Sequence, residues 1–204
     1  MEFKLDDDFI LKYIVEDGMG ISKYNNVSGT LLPTDCKILY EYAKKYNDGI
    51  YIETGSYCGL SSIIVGQSFN GLIYCHDVWY NDWDKLKGTY EPPKVDNIFI
   101  KFYTNILNNN LQKKIIPIRG SSHETLHIHK DQSIDLCFID GDHSYNGVIH
   151  DLEILHNKIK PSGTILGHDC VFNSEVLEAV KSYCNKYNKT FSIFENSHGL
   201  FKIE

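Results

Sequence analysis

Residues 134–169 read IDLCFIDGDHSYNGVIHDLEILHNKIKPSGTILGHD, and this stretch decides the fold. It opens on an apolar run, Ile134 to Ile139, that has strand length and stops at the turn formers Asp140-Gly141-Asp142. Apolar residues then return at helical spacing, at Val148, Leu152 and Leu155. After Pro161-Ser162-Gly163 a second apolar run follows and ends in His168-Asp169. Strand, helix and strand in this order make a crossover unit, which requires two parallel strands with the helix on one face. Both strands end in ionisable groups: Asp140, Asp142 and His143 on the first, His168 and Asp169 on the second. Turn chemistry accounts for an Asp or Gly there. So does reactive chemistry, because ligands of parallel sheets bind outside the carboxyl ends of the strands.

The same rhythm runs outward from this unit. Upstream, GIYIETG, GLIYCHDV and KIIPIRG read as strands, while GLSSIIVGQSF, VDNIFIKFYTNILNN and the short SHETLHIH read as helices. Downstream, SEVLEAVKSYCNKY reads as a helix, and TFSIFENSHGLFKIE as two strands around a turn at Asn196 to Gly199. LPTDCKILYEYAKKYND is a further helix, capped by Thr34 or Asp35 and stopped at Asn47-Asp48-Gly49. A short helix and a loop are expected before it. The pattern predicts an α/β, Rossmann-like three-layer sandwich with a mostly parallel seven-stranded sheet and a C-terminal antiparallel hairpin strand. We expect one domain over residues 1–204, with 1–48 a helical N-terminal cap and 49–204 the core.

Bulk properties narrow the function. The net charge of −7 argues against a nucleic-acid partner, and a single arginine, Arg119, argues against a multi-forked phosphate grip. The six cysteines are scattered, form no C-x-x-C pair and sit in or near apolar runs. They read as reduced core residues. With no leader pattern at the N-terminus and no apolar run long enough to span a bilayer, a cytoplasmic protein is expected.

The remaining strand ends are also polar. The first carries Glu53-Thr54-Gly55-Ser56-Tyr57-Cys58-Gly59, the second His76-Asp77, the third Arg119-Gly120-Ser121-Ser122. The glycine loop is not G-x-G-x-x-G, and Tyr57 stands where a dinucleotide fold wants glycine. An NAD(P)-dependent oxidoreductase is therefore the weaker alternative. Asp77 suits a ribose, since one carboxylate accepts hydrogen bonds from two hydroxyls. A nucleoside without a phosphate cradle fits these features.

YIETGSYCGLSS, YCHDVW, IRGSSHETL and the 134–169 stretch together resemble class I S-adenosylmethionine-dependent methyltransferases. The FIDGDHSY motif, residues 138–145, resembles the small-molecule and sugar O-methyltransferase branch. The resemblance covers residues from about 30 to the C-terminus. It implies S-adenosylmethionine as cofactor, with Glu53, Gly55, Ser56 and Gly59 around its methionine part, Asp77 on its ribose, Ser121 and Ser122 near its adenine, and Asp140 toward its sulfonium. Ser121 also reads as a helix cap, with Glu124 completing a capping box. The implied acceptor is a small hydroxyl compound, a sugar or glycan unit. A methyltransferase-like domain that binds a partner without turnover is a further alternative, and oligomer formation stays open.

A hydroxyl acceptor must lose a proton, and Asp142 and His143 are the two candidates for the base. A divalent metal such as Mg²⁺ is the other means of activation, with Asp140 and Asp169 as ligands at strand ends four and five. The third ligand of related enzymes, an Asp or Asn directly after the second, is replaced here by Cys170. His168 or His143 in its place would turn preference toward a transition ion. The aromatic segment Trp79 to Pro93 reads as a lid over the pocket or as rings packed beneath a loop. His123, His127 and His129 read as surface residues.

Overall fold

The computed structural model describes residues 14–16, 21–79 and 98–204. Strands β1 (Val15–Glu16), β2 (Ser22–Tyr24) and β3 (Val27–Gly29) form an antiparallel meander. Helix α1 (Pro33–Tyr46) follows, then β4 (Ile50–Thr54), α2 (Leu60–Gly66), β5 (Leu72–Asp77), α3 (Ile98–Asn108) and β6 (Ile115–Arg119). The short α4 (Ser122–Thr125) runs into a 3-10 turn. Next come β7 (Ile134–Ile139), α5 (Tyr145–Lys158), β8 (Ile159–Gly167), α6 (Ser174–Tyr187), β9 (Phe191–Ile193) and β10 (Phe201–Ile203).

The main sheet has seven strands among the described residues, in the order β6-β5-β4-β7-β8-β10-β9. Strands β4 to β8 pair in parallel; β10 is antiparallel to both β8 and β9. The fold is the expected Rossmann-like α/β sandwich. Side chains alternate across the sheet, as the two-residue period of a strand requires. Tyr51, Leu136, Phe138 and Leu166 join the core with α1, α2 and α3, while Ile52, Cys137, Ile139 and Ile165 join the opposite core with α5 and α6. Every residue of α2 is buried, so this helix is enclosed rather than amphipathic. All six cysteines are buried and unpaired.

Three local readings need correction. Residues 22–29 form strands where a helix and loop are expected; Asn25 and Asn26, both at positive φ, make the hairpin turn that the sequence disguises. Helix α1 begins after Leu32 with Pro33 in its first turn, and Asp35 reaches back to accept the Leu32 N–H at 2.8 Å. Strand β8 starts before Pro161: Ile159 pairs with Ile134, Thr164 with Leu136, and the residues between bulge out.

Strand order reverses between β4 and β7, which opens the crevice where such sheets bind ligands. Gly55 has φ +83°, and a Cβ there would lie 2.0 Å from the Asp140 carbonyl oxygen. We expect Gly55→Ala to cost about 2–4 kcal/mol, from overpacking plus a left-handed conformation. Gly141→Ala, whose Cβ would meet its nearest neighbours at 3.5 Å, is the control and should cost much less. Urea denaturation of both variants checks this.

Candidate active site

The first wall of the crevice is the loop after β4. Glu53 is fully buried beneath it, accepting from Ser61 Oγ (3.0 Å), Ser62 Oγ (2.6 Å) and Tyr51 OH (3.0 Å). Burial raises its pKa, and these three hydrogen bonds oppose the rise. Its carboxylate thus braces the loop from below. Tyr57 stands at φ +45°, a costly conformation for an aromatic residue. Its N–H donates to Asp77 Oδ2 at 2.7 Å, and its carbonyl accepts from Trp79 Nε1 at 2.9 Å. Asp77 Oδ1 accepts the Trp79 N–H at 2.6 Å. Asp77 therefore joins the glycine loop to the end of β5 and retains lone pairs for a further donor. Burial raises its pKa against these two backbone bonds. Gly59, at φ +88°, starts α2. Ser56 is buried at the same turn.

Ser121 and Ser122 open the loop after β6. Ser121 makes no side-chain cap bond, so the capping box with Glu124 is not formed; its carbonyl instead accepts from Thr125 Oγ1 at 2.9 Å. Asp151 is buried, and burial raises its pKa.

The second wall is a corner of alternating carboxylates and imidazoles at the ends of β7 and β8. His143 Nε2 lies 3.0 Å from Asp169 Oδ2 and 3.4 Å from Asp140 Oδ1. His168 Nδ1 lies 3.3 Å from Asp169 Oδ1 and 3.6 Å from Asp140 Oδ1. On its other side, His168 Nε2 faces Asp35 Oδ2 at 3.4 Å. Asp35 has no solvent exposure and also accepts the His198 N–H at 3.0 Å. Asp169 sits at φ +63°, which Asp tolerates better than most residues.

Charges are strongly coupled here. Hydrogen bonds to Asp140 and Asp169 push the His143 pKa up to about 10 against burial. Burial pulls the His168 pKa down, but Asp169, Asp35 and Asp140 outweigh it and leave it raised to about 10. Burial would raise Asp169, yet the two imidazoles hold it well below the carboxylate range. Asp142 stays outside this cluster. It is exposed, its Oδ1 accepts the Ser144 N–H at 2.9 Å, and its side chain lies against Gly147.

The structure brings together Asp140, His143 and Asp169, as the sequence suggests, and adds Asp35 and His198. Cys170 is buried and its N–H donates to the Gly199 carbonyl. His129 is not a surface residue: it is buried, with Nε2 2.9 Å from His76 Nε2. Burial lowers the His76 pKa to about 3 and that of His129 to about 4, so the pair is neutral. His127 is exposed, and the His123 ring packs on His150. Of the aromatic segment, Trp79 is buried against Phe99 and Phe102; residues 80–97 lie outside the described residues.

A family described as a methyltransferase domain matches residues 52–170, more than half of the chain, including both walls of the crevice. The chain belongs to this family. No curated protein sequence matches the methyltransferase. Solved structures share its fold. An O-methyltransferase from Bacillus cereus, in complex with SAH, is 16% identical with a TM-score of 0.62, over 84% of this chain and 80% of that one. TomG, an O-methyltransferase of Streptomyces achromogenes involved in tomaymycin synthesis and solved with SAM, is 9% identical with a TM-score of 0.64, over 88% and 82%. A precorrin 8W decarboxylase from Methanobacterium thermoautotrophicum is 15% identical with a TM-score of 0.64, over 89% and 93%. The last shows that this fold does not fix the reaction by itself.

The histidines give a pH signature. Their folded pKa values of about 10 lie above the unfolded value near 6.5, so their stabilisation is complete below about pH 6.5. It is lost as pH rises through about 10. The melting temperature should fall between pH 7 and 10, and less steeply in His143→Gln. Melts across that range check this; equal slopes would refute the ion pairing.

Proposed function

We propose that this methyltransferase uses S-adenosylmethionine to methylate a hydroxyl of a small polar acceptor, a sugar or glycan unit. The observation that carries this reading is the pairing of two unlike walls across the β4–β7 switch point. One wall is a tight glycine loop tied to a strand-end carboxylate. The other is a corner of two carboxylates and two imidazoles at the ends of β7 and β8. The first suits a nucleoside and the second a hydroxyl. The solved structures with SAH and SAM on this fold add support. Family membership sets the oxidoreductase reading aside.

In this reading Gly55, Ser56 and Gly59 let the loop backbone approach the cofactor, Glu53 stiffens that loop, and Asp77 receives the ribose hydroxyls. Ser121 and Ser122 border the adenine end, and Asp140 borders the reactive end. Methyl transfer needs alignment and removal of one proton. His143, held as a cation at neutral pH, stabilises an acceptor oxygen as it becomes negative. Asp142, exposed at the mouth, is then the proton acceptor of the pair. The exposed Phe172 ring, packed on His198, offers an apolar face to the CH side of a sugar.

In place of the His143 proton, a divalent cation fits the same corner: ligand atoms of Asp140, His143 and Asp169 all lie within 4.8 Å of one another. Such an ion supplies a lowered acceptor pKa.

Calorimetric titration with S-adenosylhomocysteine tests the cofactor reading. We expect micromolar binding by the wild type. Asp77→Ala should weaken it about tenfold to a hundredfold, the worth of a charge-assisted hydrogen bond of about 1.5–3 kcal/mol. No binding by the wild type would overturn the reading.

A further inference from the structure

A chain of hydrogen bonds with a single direction runs behind the loop after β6. Lys158 Nζ, at the end of α5, donates to the His129 carbonyl at 2.7 Å. The His129 ring stands edge-on to Tyr74, with centroids 4.9 Å apart, and its Nε2 meets His76 Nε2 at 2.9 Å. His76 Nδ1 then meets Thr125 Oγ1 at 2.8 Å, and Thr125 Oγ1 donates to the Ser121 carbonyl at 2.9 Å. Both imidazoles are buried.

The last bond fixes the protons before it. A carbonyl only accepts, so the Thr125 hydroxyl gives its one hydrogen to Ser121. Its oxygen is left to accept from the ring, so His76 carries its proton on Nδ1. His76 Nε2 is then a bare lone pair, and the hydrogen between the two rings belongs to His129 Nε2. His76 is neutral in this chain, because a second proton would set N–H against N–H. Burial favours the uncharged form of both rings.

The backbone beside His76 holds both loops of the cofactor wall. The His76 carbonyl accepts the Gly55 N–H at 2.9 Å, and the Asp77 carbonyl accepts the Gly120 N–H at 3.0 Å. The side chain of His76 reaches one step further, to the turn of α4. That turn closes on the Ser121 carbonyl through the Glu124 and Thr125 N–H groups. A helix of one turn has little cooperative bonding with which to hold its own start. The ring-to-hydroxyl bond supplies a support from the sheet.

We propose that His76, through Thr125, positions the Ser121 loop for the adenine end of S-adenosylmethionine, and that His129 holds the His76 ring in the tautomer this requires. The inference rests on the cofactor reading above, in which Ser121 and Ser122 border the adenine. Asp77 then receives the ribose while the residue before it sets the height of the base. Both histidines are positioning residues that act through Thr125.

The test uses the full chain, with S-adenosylhomocysteine as the probe in calorimetry. Thr125→Val keeps the shape of the side chain and removes the link. It should weaken binding about tenfold, as the loss of one buried hydrogen bond does. Thr125→Ser, which restores the hydroxyl, should bind within about twofold of the wild type. 5′-Methylthioadenosine lacks the amino-acid end and should lose the same factor as S-adenosylhomocysteine in Thr125→Val. Val180→Ala, a buried change in α6, should lower stability and leave the affinity unchanged. Proton–nitrogen NMR of histidine-labelled protein should show His76 protonated at Nδ1 and His129 at Nε2. This reading does not depend on how any variant folds. Undiminished affinity in Thr125→Val, no recovery in Thr125→Ser, or the opposite His76 tautomer would overturn the proposal and leave the pair as core packing. A wild type that binds no S-adenosylhomocysteine would instead remove the cofactor reading, and the proposal with it.

Discussion

A carboxylate cannot be taken wholly out of water unless its charge and lone pairs are met. Asp35 meets that demand with three partners from distant parts of the chain: the Leu32 N–H at the entry to α1, the His198 N–H in the hairpin turn, and the His168 imidazole at the end of β8. The position of α1, the depth of the hairpin and the orientation of His168 are therefore one constraint. From His168 the alternation of sign continues outward through Asp169 and Asp140 to His143. Removing Asp35 takes the partner from His168 Nε2 and from two backbone donors.

The sheet holds this charged corner against a quite different surface. The glycine loop meets the Asp140 backbone so closely that no side chain fits at Gly55. Across the resulting crevice, one wall is built from backbone bent by Asp77 and Trp79, the other from side chains aligned by the ends of β7 and β8. A cofactor that is nucleoside at one end and reactive at the other matches such a division of labour, and the methyltransferase family match spans both walls.

Much of this was legible in sequence because it is local. The alternation of strands and helices, the glycine loop and the polar strand ends all depend on neighbouring residues, and the parallel sheet follows from them. Asp140, His143 and Asp169 were legible because they end strands. What was not legible depends on contacts across the fold. Asp35 reads as a helix cap, which it also is, while its partners His168 and His198 are 133 and 163 residues away in sequence. His129 reads as a surface residue because only the folded sheet supplies His76. Asp142 and His143 look equivalent in FIDGDHSY. The difference between them comes from Asp169, which a linear motif does not contain. The strands at 22–29 are too short to show a clear period.

The hairpin that carries His198 ends in β10, which slots between β8 and β9 and runs antiparallel to both. Gly199 lets its turn press on the backbone of Cys170 and Val171, where a Cβ would come within 3.0 Å. The corner is thus assembled from the thirty-fifth residue and the hundred-and-ninety-eighth. Asp35 and His198 stand 163 residues apart, so this junction exists only while the hairpin stays docked. Local opening of the hairpin alone would unfasten His168 from behind without breaking any pair of the parallel strands.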